Sequence, residues 1–361
     1  MASERRVLQI APTIPVRNVQ ALAASSADEL TAETLDRYIR PGIDQDAVLE
    51  EHSDELPVVD LGRLLNPESW EEEAAKLRFA CEEWGFFQVL NHGVPEEVIV
   101  NIKRDIQEFF NLPLEVKNAY AQRPGDLQGY GQAYVFSEDQ KLDWADMLGI
   151  LTQPPEARDT KLWPAQPLTF RKSVEDYSAE LKKIAHSIAS IIAKMLNIKP
   201  ELMDDKYAVQ VLRMNYYPPC MSMPEKVLGF SPHSDGSFFT ILKEVNSVNG
   251  LQIRRHGAWI PVKPHPKAFL VNVGDLLEIM TNGKYKSIEH RVTIDAHMER
   301  LSVSAFINPK FDDVVSPVLG STTEEVLYKT VSVEDYMKHY MSNKLDGKKA
   351  LDHAKVSNVN Y

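Results

Sequence analysis

Apolar residues recur at helical spacing through most of the first half of the chain, then alternate with polar ones from about residue 207 onward. Before that change, Ser69 and Glu72 form a capping-box pattern ahead of a stripe made by Leu77, Cys81 and Trp84, which predicts a helix. The run LPVVDLGRLL (56–65) contains a short apolar strand candidate, and GFFQVLNHGV (85–94) reads as a compact apolar strand. Pro95 suits the first residue of a following helix, where its missing N–H costs nothing, and Val98, Ile102, Ile106, Phe109 and Phe110 then repeat at helical spacing. Residues 122–167 are punctuated by proline and glycine and read as loops. From Arg171 to Leu196 the residues Val174, Tyr177, Leu181, Ile184, Ile188, Ile191 and Met195 mark the buried stripe of a long helix.

After the change of period, strand-like pieces cover 208–217, 237–245, 251–255, 258–263, 267–273, 287–294 and 300–307, with turn signals at His256-Gly257 and Asn282-Gly283. Residues 332–354 return to a helical pattern. Many short strands without helices between them predict an antiparallel barrel or a double-sheet jelly roll, so the expected class is α+β. The division that follows is a lead-in over 1–55, a helical region over 56–165, a jelly-roll core with its bracing helix over 166–331, and a helical segment over 332–361.

Alternation also sorts side chains by face. In VLRMNYYPPC, Arg213, Asn215 and Tyr217 share one face, and Leu212, Met214 and Tyr216 the other. In ERLSVSAFINP, Arg300, Ser302, Ser304 and Phe306 lie opposite the apolar set Leu301, Val303, Ala305 and Ile307. The polar faces line either a pocket or the solvent. His233 and Asp235 in SPHSDGS are two apart, so an extended segment would aim both at one point, and His290 follows several strands later. Two imidazoles and one carboxylate would leave half of an octahedral ion open, as oxygen-activating iron requires. A closed zinc site would need a fourth ligand, and no cysteine is well placed. Taken alone, an H-x-D pair is more often structural than ligating.

Charge and cysteine content narrow the classes. Against 40 basic side chains stand 52 acidic ones, a formal net charge of −12, which disfavours nucleic acid as a partner. Two scattered cysteines, Cys81 and Cys220, provide neither a disulfide framework nor a zinc ligand set. Neither a secretory leader nor a membrane span is apparent. A cytoplasmic, monomeric protein acting on a small molecule is expected.

Three elements together carry a resemblance: H-x-D at 233–235, the distal His290-Arg291-Val292, and R-x-S at Arg300-Leu301-Ser302, ten residues after that histidine. They resemble the iron(II)/2-oxoglutarate oxygenase superfamily. NYYPPC, GLQI, AFLVNVGDLLEIMTNG and ACEEWGFFQVLNHGVP are similar to its soluble plant branch, over about 56–350. SEDQKLDWADM, FFNLP and NKLDGK resemble the group of poppy alkaloid O-demethylases and senescence-related oxygenases. The resemblance implies a distorted double-stranded β-helix (jelly roll) flanked by helices, with the carboxyl-terminal helix near the pocket mouth. It implies iron(II) on His233, Asp235 and His290, and 2-oxoglutarate held by Arg300 and Ser302 with Tyr217 and Asn215 beside them. Dioxygen would be the second cosubstrate and ascorbate the reductant. The reaction would hydroxylate or O-demethylate a small aromatic metabolite or hormone, releasing succinate and CO2. Candidate substrate contacts read from the sequence are Phe306 on the face of Arg300, Phe238 just after the H-x-D motif, Tyr134 and Phe136 on the loop-rich segment, and Arg213 for a polar substituent. Two other readings stay open: an aminocyclopropane-type oxidase that keeps the same residues without using 2-oxoglutarate, and a binding-only protein on the same fold.

Overall fold

Twelve strands build the two sheets that position the site. In chain order they are β1 (Val58–Asp60), β2 (Phe86–Leu90), β3 (Gly129–Gly131), β4 (Asp146–Gln153), β5 (Val209–Tyr217) and β6 (Leu228–His233). Then come β7 (Phe239–Glu244), β8 (Leu251–Arg255), β9 (Ala258–Pro261), β10 (Phe269–Val273), β11 (His290–Thr293) and β12 (Arg300–Asn308). The large sheet runs β1-β2-β10-β7-β12-β5-β4-β3, and the small one β6-β11-β8-β9. Apart from the β1–β2 pair, every ladder in these sheets is antiparallel. The computed structural model describes residues 11–25, 30–49, 56–126, 128–132, 134–319 and 325–356. Parts of the 1–55 lead-in and the last residues of the 332–361 segment lie outside them. The large sheet takes β1 to β4 from before residue 166 and its other four strands from after it, so both regions share one sheet.

The long helix, Phe170–Leu196, covers the outer face of the large sheet with Val174, Tyr177, Leu181, Ile184 and Ile188, all buried. Leu212, Met214, Leu301, Val303, Ala305 and Ile307 belong to the same core, which is the apolar face that alternation assigned to β5 and β12. Each of the Leu, Ile, Val and Met side chains contributes roughly 1.5–3 kcal/mol by leaving water. Asn197, in the left-handed region with φ 53°, ends the helix by returning its N–H to Ala193 and Lys194.

Local departures from the predicted elements have identifiable causes. Ser69 makes no side-chain cap: the short helix Leu61–Leu65 brings the Arg63 carbonyl to its hydroxyl at 2.9 Å, and Glu72 pairs with Arg63 and Lys76 instead. That helix follows directly on β1, the short strand within 56–65. Pro95 is the cap before Glu96–Phe110 rather than its first residue. Inside the region read as loops, β4 is an eight-residue strand, DMLGILTQ. Seven of its residues are buried, so no alternation betrays it. The same reason hides the helix Asp275–Met280, whose six residues are all buried and leave no polar stripe.

Candidate metal and cosubstrate site

His233 ends β6 and His290 begins β11, and antiparallel pairing sets the two directly opposite. Their rings lie 4.1 Å apart, centroid to centroid. The turn after β6 carries Asp235 back beneath them, with Oδ1 3.4 Å from His233 Nε2 and 3.6 Å from His290 Nε2. Candidate ligand atoms of all three fall within 4.8 Å of one another. Among the described residues no other group of three His, Cys, Asp or Glu side chains gathers this way.

Each ligand is oriented by a partner. Nδ1 of His233 lies 2.8 Å from the Ser231 carbonyl, and Nδ1 of His290 3.0 Å from the Ile288 carbonyl. A carbonyl oxygen only accepts, so both protons sit on Nδ1 and both Nε2 lone pairs face Asp235. Phe230 packs edge-on against His233 and Phe86 against His290, fixing the ring planes. The far oxygen of Asp235, Oδ2, accepts from the Thr240 hydroxyl at 2.6 Å and the Asn272 amide at 2.7 Å, which leaves Oδ1 for an ion. Burial, helped by His233, pushes His290 down to about 4 and keeps it a neutral ligand. Burial alone would raise the Asp235 carboxyl. The adjacent histidines, where they are protonated at low pH, and the Thr240 bond outweigh it and hold the group below the usual carboxylate range.

A cavity opens beside this cluster, lined by all three candidate ligands together with Arg300, Ser302 and Phe306. The polar faces read from the sequence form one wall. In register, Arg300 faces Tyr217, Ser302 faces Asn215 and Ser304 faces Arg213 across the β12–β5 ladder. Asn215 Nδ2 lies 3.4 Å from Ser302 Oγ. Arg300, 2% exposed, donates Nη2 to Glu244 at 2.7 Å, while Nε and Nη1 are buried and make no hydrogen bond. The Tyr217 ring lies 5.0 Å from its guanidinium carbon. A cluster of candidate ligands beside a guanidinium with two unused donors fits a metal together with a carboxylate-bearing cosubstrate.

Among the expected substrate contacts, Phe306 and Arg213 line this cavity. Arg213 lies 4.3 Å from the Phe230 ring centre and 5.8 Å from that of Tyr134. With Phe230 it also borders a second cavity, lined by Gln132, Leu142 and Met147. Tyr134 and Phe136 pack at this outer end, in the cluster that holds Tyr217, Phe230, Val292 and Tyr340. Tyr134 is held at φ 63°, unusual for an aromatic residue. Phe238 lies elsewhere. It is fully buried in the main core against Phe239, because β7 begins at Phe239 and the parity that turns Thr240 and Leu242 to the cavity does not reach back to it. Sequence reasoning missed Thr240, Glu244 and Asn272. Only Asn272 gave a signal, as the single polar residue in the strand FLVNV.

Comparison with known proteins bears on this geometry. Residues 56–166 match the family described as non-haem dioxygenase in morphine synthesis N-terminal, and 208–309 match the 2OG-Fe(II) oxygenase superfamily. The chain is 45% identical over 351 residues to 2-oxoglutarate-dependent dioxygenase 11 of Oryza sativa subsp. japonica, covering 95% of this chain and 97% of that one. It is 45% identical over 310 residues to codeine O-demethylase of Papaver somniferum, covering 83% and 85%. The crystal structure of JOX2 in complex with 2OG, Fe and JA superposes with a TM-score of 0.85 at 34% identity, over 96% of this chain and 99% of that one. No helix among the described residues is long and apolar enough to cross a membrane. The fold is therefore the double-stranded β-helix of these enzymes, and the chain belongs to the 2OG-Fe(II) oxygenase superfamily as a 2-oxoglutarate-dependent dioxygenase, an oxidoreductase that uses iron.

Proposed function

We propose that the chain hydroxylates or O-demethylates a small, ring-containing metabolite, with His233, Asp235 and His290 holding iron and Arg300 and Ser302 holding the far carboxylate of 2-oxoglutarate. The observation that carries this reading is the pair of unused Arg300 donors in the cavity that also contains the His-Asp-His cluster. Iron with its keto acid supplies the oxidation of a C–H bond by dioxygen, with succinate and CO2 as coproducts. This chain's residues bind and orient. The Nδ1–carbonyl bonds hold each imidazole with Nε2 available, and Thr240 and Asn272 keep one carboxylate oxygen of Asp235 occupied. Glu244 fixes Arg300 from behind, so its remaining donors need no reorganisation to meet a carboxylate.

The substrate end of the cavity supports an aromatic ligand with a hydrogen-bond acceptor. Phe306 gives an apolar wall. Arg213 is 9% exposed and makes no hydrogen bond or ion pair among the described residues, its Nε being buried without a partner. A buried guanidinium in that state calls for an acceptor from the ligand, such as a carboxylate, carbonyl or phenol oxygen. Codeine O-demethylase is an O-demethylase by name, which favours attack on an aryl methoxy group. Hydroxylation of that methyl gives a hemiacetal, which releases formaldehyde and leaves the phenol. We further propose that the protein works as a cytoplasmic monomer without nucleic acid or membrane partners.

The test has two parts. Iron(II) and 2-oxoglutarate added anaerobically should give a visible charge-transfer band that His233→Ala and Asp235→Ala both lack. A panel of methoxylated and unmethoxylated aromatic compounds should then stimulate succinate formation, with formaldehyde appearing only for methoxylated members. An unchanged band in both alanine variants would reject the ligand assignment, and succinate formation indifferent to every ring compound would reject the substrate class.

A further inference from the structure

The backbone around Asp235 is held by residues far away in the chain. Gly347 donates its N–H to the Pro232 carbonyl at 3.0 Å and accepts from the Ser234 N–H at 3.2 Å, extending the sheet edge beside His233. Tyr340, on the helix Val333–Met341, donates its hydroxyl to the Ser234 carbonyl at 2.8 Å. One turn earlier on the same helix, the Tyr336 hydroxyl donates to Asp275 Oδ2 at 2.8 Å, and the Asp275 N–H in turn reaches the Asp235 carbonyl at 2.7 Å. Both tyrosines are buried, Tyr340 at 8% and Tyr336 at 2% exposure.

Two glycines make this approach feasible. A Cβ on Gly236 would stand 2.8 Å from the Tyr340 ring, so only a glycine after Asp235 lets the ring close on the turn. Gly347 sits at φ 55°, in the left-handed region that its reversal toward Pro232 demands. The direction of the Asp235 carboxylate depends on the backbone of 234–236. That backbone lies beyond the end of β6 and has lost its ladder partners. Contacts from 336–347 replace them.

We propose that residues 333–347 form a clasp on the metal-binding turn, with Tyr340 and Gly347 as positioning residues for Asp235, so that metal binding and docking of this segment are thermodynamically linked. The proposal rests on the reading that His233, Asp235 and His290 hold the metal. Linkage makes the effect reciprocal: whatever factor the clasp contributes to metal affinity, the metal returns to the docked segment. Removal of one buried hydroxyl from the turn should weaken metal binding about tenfold, the size of one lost hydrogen bond that leaves a carbonyl unsatisfied.

The experiment titrates the full-length apo chain with cobalt(II) in the absence of oxygen and reads the visible d–d absorption. Tyr340→Phe should raise the cobalt Kd about tenfold. Tyr177→Phe, which removes a buried hydroxyl from the long helix without touching the site, should leave it unchanged. In the unaltered protein, cobalt should also slow amide exchange across 333–347, a readout that stays decisive should Tyr340→Phe fold poorly. His233→Ala separates the two ideas. If His233→Ala binds cobalt like the unaltered chain, the ligand assignment falls and the clasp falls with it. If His233→Ala loses cobalt while Tyr340→Phe keeps the full affinity, or exchange across 333–347 ignores cobalt, the clasp alone is overturned.

Discussion

Two buried guanidinium groups face the same cavity and are treated differently by the fold. Arg300 is matched by Glu244 and keeps two donors unused. Arg213, two strand positions along the same wall from Asn215, has aromatic faces around it and no acid. A buried cation without a counter-charge is costly, and stacking on Phe230 offsets only about 1–2 kcal/mol of that. On the assignment proposed above, the contrast fits two ends that serve ligands of different constancy. At the Arg300 end the protein supplies its own acid to hold the fork in one pose, as suits a cosubstrate needed in every turnover. At the Arg213 end the counter-group is left for the ligand to bring, as suits a substrate that differs between related enzymes.

The sharpest break of this comparison is Arg300→Leu. Loss of one partner of a charge-assisted, bidentate contact costs on the order of 2–5 kcal/mol, so the 2-oxoglutarate requirement should rise roughly 30-fold or more. Iron binding should change little, and Arg300→Lys should recover only part of the loss because a point charge cannot fork two oxygens. Steady-state assays over a range of 2-oxoglutarate concentrations decide it. A rise confined to the ring substrate would reverse the assignment of the two ends.

Arg213→Gln should act at the other end. It should raise KM for an acceptor-bearing substrate about tenfold, in line with one charged hydrogen bond, while the 2-oxoglutarate requirement holds. Equal effects on both ligands would merge the two ends into one. Smaller effects come from the serines that face Asn215 and Arg213 across the ladder. Ser302→Ala should raise the 2-oxoglutarate requirement about 2- to 5-fold and Ser304→Ala should alter only the ring substrate, since a neutral hydroxyl is worth about 1 kcal/mol.

The smallest expected effect is a pH dependence behind the Arg213 end. Asp146 on β4 accepts from the Val19 and Gln20 N–H groups and so ties down the segment that packs over this loop. Burial pushes its carboxyl up to about 6, against the opposing pull of those two N–H groups. A raised folded-state value means that this group's stabilisation is complete below its ordinary value near 3.8 and fades as pH climbs through about 6. Asp146→Asn cannot titrate. The thermal midpoint of the variant, measured relative to the unaltered protein, should therefore shift upward between about pH 4 and pH 6 and hold level above that. A difference independent of pH would remove the charge from this account.

How much of the site could be read from the chain varies residue by residue. Arg300, Ser302 and Ser304 were legible as a polar face because they alternate with Leu301, Val303 and Ala305, and the long helix was legible because one stripe of it meets solvent. Strand β4 and the helix Asp275–Met280 were not, since burial on all sides erases the period that betrays an element. Ser69 holds the N-cap position as read, yet its hydroxyl makes no capping bond, because it is drawn to the Arg63 carbonyl of a helix the local pattern did not announce. Phe238 read as a pocket aromatic because it follows the H-x-D motif, yet one residue of strand boundary sent it into the core.

The amino-acid sequence by itself determined which side chains share a face and that His233 and Asp235 stand two residues apart. Those are properties of local backbone geometry, which repeats every two residues in a strand whatever surrounds it. Only the tertiary structure decided which distant groups meet them. His290 lies opposite His233 through antiparallel pairing, Glu244 takes part of Arg300 and none of Arg213, and Tyr340 closes on Ser234 across the space that Gly236 leaves open. Such meetings depend on how the whole chain closes and on which partners its packing brings within hydrogen-bond reach, and a local period carries no record of either.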